Sequence, residues 1–254
     1  MMSKSATRKG AFYPLASKTL RDLLATPMAP IAALFVLLGS GIPFLFPSEF
    51  SVVPDFSFAA YASRIPPLAS LFFPALCAGL WDAERKEGTL DLLLSYPASD
   101  LAIVLAKSVP VFLAFAATLA LSVPLSLSLQ SIQDATRVPS LTGTILPGYL
   151  MLLLHAFSLA SFSTYVALRF SGTVVPTIVS FASIASMSAT HLLPRSLDLS
   201  PSFARVCVEL SLSWRLDRAF RGVIDSRDIV FFAVPAAFFT ALSAIRVAGT
   251  RRGS

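Results

Sequence analysis

Few side chains in this sequence are equipped for chemistry. Among its 254 residues are two histidines, His155 and His191, and two cysteines, Cys77 and Cys207. The cysteines fit neither a metal-ligand spacing nor a disulfide framework, and read as small apolar residues, buried or facing lipid. His155 stands inside a long apolar run, where it either bonds between helices or touches a substrate or a haem on a pathway. His191 lies near the end of the next run and reads as interfacial. No H-E-x-x-H or G-x-S-x-G is present, and Gly39-Ser-Gly is too short to carry meaning, so a hydrolase built on a serine and His155 has no motif behind it. No G-x-x-x-x-G-K-[ST] is present either, so the chain has no P-loop with which to cradle ATP phosphates. No catalytic residue, metal or cofactor of its own is expected. The densest polar cluster is Asp82, Glu84, Arg85, Lys86 and Glu87, set between two apolar runs.

The elements that would position these residues follow from composition. The chain is 55% hydrophobic and 13% charged, with 21 phenylalanines. Soluble domains carry about 25% charged residues, so too little charge is present to cover a soluble surface. Six apolar stretches, at 29–46, 65–81, 101–129, 145–168, 174–194 and 229–247, are each of a length to cross a bilayer core of about 30 Å. Prolines such as Pro74, Pro110 and Pro235 interrupt several of them, which neighbouring helices tolerate in a membrane. The expectation is a single all-α membrane domain over 1–254 with about six transmembrane helices. Their apolar cores, 29–46, 65–80, 108–129, 145–168, 174–193 and 229–245, hold no Asp, Glu, Lys or Arg, which speaks against an ion-coupled transporter. The first run is too long for a signal-peptide core and no small-residue cleavage site follows it, so it reads as an uncleaved span.

Charge sets the orientation. With the N-terminus inside, the inner segments 1–28, 81–107, 169–173 and 246–254 hold twelve Lys and Arg, while the outer loops 47–64 and 130–144 hold one each, Arg64 and Arg137. Both termini are therefore expected in the cytoplasm of a cell (inner) membrane. The net charge of +6 is explained by this bias and calls for no nucleic acid. Segment 194–228 breaks the rule with six arginines, nearly balanced by Asp198, Glu209, Asp217, Asp225 and Asp228. Its apolar residues recur at helical spacing, as for an amphipathic segment at the interface. Its arginines pair either with those acids or with lipid phosphates, unless the topology changes after the fourth span. Before the first span, Leu15, Thr19, Leu20, Leu23 and Leu24 form one face of a helix and Lys18, Arg21 and Asp22 another; Pro27 then turns the chain into the membrane. An interfacial elbow fits.

The segment from Trp81 to Asp100 reads as helix, break, helix. Gly88 suits a C-cap. Thr89 can cap the next short helix, with Asp91 favourable in its first turn. Leu90, Leu93 and Leu94 form its apolar side, Pro97 stops it and Ser99 can cap the third membrane helix. Such a short element has nothing in its own loop to bury those leucines against, so they are expected on the membrane surface or on a partner.

The run Glu84-Arg-Lys-Glu-Gly-Thr-Leu-Asp-Leu-Leu-Leu-Ser-Tyr-Pro-Ala-Ser, followed by Lys107, resembles the signature of ABC-2 type transporter permeases. Lys18-Thr-Leu-Arg-Asp-Leu-Leu-Ala-Thr-Pro-Met is similar to the start of that family, with Thr19 where an acid is usual. Arg221-Gly-Val-Ile-Asp-Ser-Arg-Asp resembles the approach to the last span in its gliding-motility and nitrous-oxide-reductase-maturation branch. The resemblance implies the permease subunit of an exporter, paired with a second permease chain as a homo- or heterodimer. It also implies a separate cytoplasmic ATPase that binds ATP-Mg and hydrolyses it. Glu84 and Glu87 would contact that ATPase, Gly88 would set the bend, and Leu90, Leu93 and Leu94 would pack. A non-transporting component of a motility or maturation complex, or a haem-exporter-like subunit, is the alternative.

Overall fold

The computed structural model describes residues 12–45, 57–135, 142–196 and 200–253. Lys4, Arg8, Lys9, Phe46, Arg137 and Asp198, which the sequence reading used for charge bias and span ends, lie outside the described residues. Among the described residues every regular element is a helix. In chain order they are α1 (Phe12–Ala25), α2 (Met28–Leu45), α3 (Phe58–Ala62), α4 (Ile65–Lys86), α5 (Leu90–Ser95) and α6 (Asp100–Ala135). There follow α7 (Thr142–Arg169), α8 (Val174–Ala189), a 3-10 turn at Thr190–Leu192, α9 (Leu193–Ser196), α10 (Pro201–Leu210), α11 (Leu212–Phe220) and α12 (Ser226–Gly253).

Five helical stretches are long and apolar enough to cross a membrane: Phe58–Lys86, Asp100–Leu129, Ile145–Arg169, Val174–Leu192 and Ser226–Arg252. The pair Phe12–Ala25 and Met28–Ile42 qualifies jointly and is bent by 69°, which makes six if it is one broken span. The spans expected from sequence are thus present as helices. Helices α4, α6, α7 and α12 are longer than their apolar stretches. Helix α4 carries its charged tail to Lys86 without a break. Helix α6 runs for 36 residues through Pro110 and Pro124, roughly 54 Å at 1.5 Å per residue, well beyond the bilayer core.

Helix α7 is the central post, packed against α4, α6, α8, α11 and α12. Around it the aromatic core is built from Phe58, Phe72, Phe73, Phe115, Phe220 and Phe232. The Phe72, Phe73 and Phe115 rings meet at 5.0–5.2 Å between centroids, the tilted and edge-on contacts that aromatic quadrupoles favour. Gly148 on α7 lets this core close: a β-carbon there would lie 2.4 Å from Phe58 Cε1 and 3.2 Å from Phe220 Cδ1. Helix α8 is peripheral, with only 17% of its apolar window buried in the bundle, so lipid or another chain must cover the rest.

The two ends of the bundle sort as the span count requires. One end gathers α1, the tail of α4, α5, the start of α6, residues 167–173 and the tail of α12. The other gathers α3, the starts of α4, α7 and α12, the end of α8, and helices α10 and α11. Residues 194–196 and 200–228 therefore lie at the same end as the segments around 57–64 and 142–148.

Candidate functional site

The tail of α4 organises the first of these ends. Glu87 closes the helix and Gly88 takes a left-handed φ of +67°. The Gly88 N–H donates to the Arg85 carbonyl at 3.3 Å and the Thr89 N–H to the Glu84 carbonyl at 3.1 Å, the paired bonds of a Schellman turn. Nothing lies within 4 Å of where a Gly88 β-carbon would sit, so glycine is needed for its backbone and not for room. The C-cap read at Gly88 is present.

Thr89 differs from the sequence expectation. It stands at the N-cap of α5 but its side chain caps nothing there. The hydroxyl instead donates to Glu84 Oε2 at 2.5 Å. The other oxygen of Glu84 accepts from Lys107 Nζ on α6, and both residues are buried. Glu84, expected as a partner contact, is thus turned inward and fixed by α6. Its neighbours clasp other helices. The Arg85 guanidinium donates to the Phe170 carbonyl at 2.7 Å and the Ala167 carbonyl at 2.8 Å, satisfying acceptors left free where α7 ends. Asp82 accepts from the Thr173 hydroxyl at 2.8 Å and from Lys86 at 2.7 Å.

Helix α5 lies on this frame. Leu94 is buried, and Leu90 and Leu93 pack partly, against Trp81, Ile103, Val104, Ala167, Leu168 and Val247. The expectation that these leucines must seek a membrane or a partner is corrected: the tails of α4, α7 and α12 and the start of α6 supply the surface. Burying one such leucine contributes about 2 kcal/mol, enough to hold a six-residue helix that could not persist alone. Ser99 accepts from the Ala102 N–H at 3.2 Å, the cap expected for α6. Arg251, near the end of α12, donates to the Tyr96 carbonyl at 2.5 Å and to the Ala98 carbonyl and Asp100 at 3.0 Å. Pro97 is exposed between these anchors.

What α5 and its flanks leave outward is Glu87, as expected, and with it Asp91, Ser95, Tyr96 and Leu92, which is 70% exposed. Sequence reasoning missed Leu92 and Tyr96. In a run of three leucines periodicity cannot say which one faces out until the packing surface is known.

Helix α1 lies beside this end along α6. Thr19 and Leu23 are buried, with Leu15 and Leu20 partly so, whereas Leu24 is 62% exposed and leaves the expected face. Lys18 and Arg21 are exposed. Pro27 sits in the break that precedes α2. Between α1, α4 and α6 is a cleft of about 730 Å³ lined by Lys18, Asp22, Met28, Glu84, Lys86 and Lys107, among others.

The opposite end holds a second polar network. Arg215 donates to Asp228 at 2.5 Å and to Glu209 at 3.0 Å, and Arg218 to Asp228 at 2.7 Å. The Arg215 guanidinium also stacks 4.2 Å above the Phe231 ring. Of the two fates open to the arginines, these two pair with acids. Burial pushes the Asp217 carboxyl up, while the Arg227 backbone N–H holds the Asp225 carboxyl below its ordinary value. His191 bonds through Nδ1 to Ser211 Oγ at 3.0 Å and the Ser188 carbonyl at 2.9 Å, an anchoring role at the end of α8. His155 is buried at the centre of α7. Cys77 and Cys207 are buried free thiols, and no cluster of metal-ligating side chains is present among the described residues.

Five or six helices fit to cross a membrane, an apolar composition and charged helix ends are compatible with a multi-pass membrane protein. Neither a family model nor a curated protein matches the sequence.

Proposed function

We propose that this chain is the permease subunit of an ATP-binding cassette transporter of the ABC-2 type, driven by a separate cytoplasmic ATPase. The observation that carries the reading is α5. It is a short helix whose inner side touches the ends of four long helices, and whose outer side, Asp91 and Leu92, is exposed together with the flanking Glu87 and Tyr96. A force applied to that outer side is passed to α4 through the Gly88 turn, to α6 through Glu84 and Lys107, to α7 through Arg85, and to α12 through Arg251. A partner that moves α5 moves most of the bundle, which is what coupling nucleotide-driven closure to a membrane pathway requires. The bent α1–α2 pair would be the elbow helix leading into the first span. With α5 in the cytoplasm, both termini lie there, in keeping with the Lys and Arg bias. The lightly buried α8 leaves apolar surface for lipid or a second permease chain.

Purification from native membranes in mild detergent, followed by mass spectrometry, tests the reading. A P-loop ATPase is expected with the native chain. It should be lost from a Glu87→Arg, Leu92→Asp variant, whose changed side chains are exposed and leave the internal ion pair intact. Absence of any ATPase, or its full retention by a correctly inserted variant, removes α5 as a docking helix.

A further inference from the structure

We propose that the cavity around His155 is a binding site for an uncharged amphipathic lipid, an apolar chain carrying a single hydroxyl or similar hydrogen-bonding head. The cavity has a volume of about 320 Å³ and lies between α7, α8 and α12, with Leu212 of α11 among its lining residues. That volume is at the lower end for ligand pockets. Helix α7 contributes His155, Ser158, Leu159 and Phe162, one face at helical spacing. Helix α12 contributes Phe231, Phe232, Pro235 and Phe239, and α8 contributes Ser183, Ile184 and Met187. The wall is almost wholly apolar, yet a histidine 2% exposed is set into it.

His155 is held edge-on against the Phe232 ring, centroids 5.2 Å apart, and its Nδ1 is buried without a hydrogen-bond partner. An unmet buried nitrogen costs about 1–3 kcal/mol, and a packing role would be served as well by phenylalanine at no such cost. His155 lines the cavity, and we take a polar group held there to be what meets it. A neutral imidazole presents one donor and one acceptor, and a hydroxyl satisfies either. Charged heads fit poorly, because no Lys, Arg, Asp or Glu lines the cavity among the described residues. The nearby Arg215 is already engaged by Asp228 and Glu209. Ser183 and Met187 are exposed along the rim, so in a bilayer the opening between α8 and α12 faces acyl chains and a lipid can enter sideways. The site stands whether or not α5 docks an ATPase.

The full chain in phosphatidylcholine nanodiscs would be photolabelled with a dodecanol bearing a mid-chain diazirine, and the labelled peptides identified by mass spectrometry. Labelling of α7 and α12 near His155 and Phe232 should saturate and be competed by dodecanol but not by dodecane. His155→Phe, which keeps the ring and removes the nitrogen, should weaken dodecanol competition by about three- to tenfold, the worth of one hydrogen bond. Ser183→Phe, which fills the cavity from its rim, should abolish the labelling even if the first variant is not obtained folded. Labelling that rises without saturation, equal competition by the alkane, or labelling unchanged in folded Ser183→Phe would each overturn the proposal.

Discussion

The two ion pairs at the α4 tail show how position decides what a charge is worth. Lys86 and Asp82 are 2.7 Å apart, but the lysine side chain is 73% exposed, and such pairs contribute about 0–1 kcal/mol. Glu84 and Lys107 have side chains 11% and 7% exposed, so each depends on the other. Removing one partner of a buried pair costs about 3–5 kcal/mol, while replacing both by neutral groups costs far less. Lys107→Ala should therefore lower unfolding stability by about that amount in mixed detergent and dodecyl sulfate, and Glu84→Gln with Lys107→Met should recover most of it. A Lys107→Ala loss under about 1 kcal/mol would mean that water reaches the pair. In the sequence Lys107 simply follows the run that begins at Glu84, 23 residues on, with no sign that the two face each other and away from solvent. That depends on α6 crossing the tail of α4, a long-range fact.

At the scale of the element, local chemistry was easily read where a single residue decides. Gly88 ends α4, Ser99 starts α6 and Pro27 marks the break before α2, each for a backbone reason visible in the residue type. What was not legible was which neighbour an element finds. The leucines of α5 are expected on a membrane or a partner because their own loop offers no surface, yet the tails of α4, α7 and α12 and the start of α6 meet them. The two glycines that shape the helices separate these cases by experiment. Gly88→Ala, with open space around it, should cost only the left-handed backbone penalty of about 1–2 kcal/mol. Gly148→Ala drives a methyl into Phe58 and Phe220 and should cost about 1–3 kcal/mol of overpacking. Proteolysis should also find α11 loosened in Gly148→Ala alone, since Phe220 belongs to that helix. Equal thermal shifts and equal cleavage in the two variants would deny the close approach at Gly148.

For the whole molecule the open question of sequence was whether 194–228 belongs with the outer loops. The packing of α11 on α3, α7 and α8 sets it at the end away from α5. With both native cysteines buried, single cysteines at Glu87 and Arg221, both exposed, should react with a membrane-impermeant maleimide from opposite sides, Glu87→Cys only after permeabilisation of the cell. Labelling of both from one side would reverse this arrangement. The buried pair between Glu84 and Lys107 has a further consequence when the chain is seen in time. The lysine is made 23 residues after the acid, a delay of about one to five seconds at ordinary rates of synthesis. Until the first turns of α6 have been made, Glu84 has the Thr89 hydroxyl but not its counter-charge, so the tail of α4 gains its ionic lock only when the following long helix has been added.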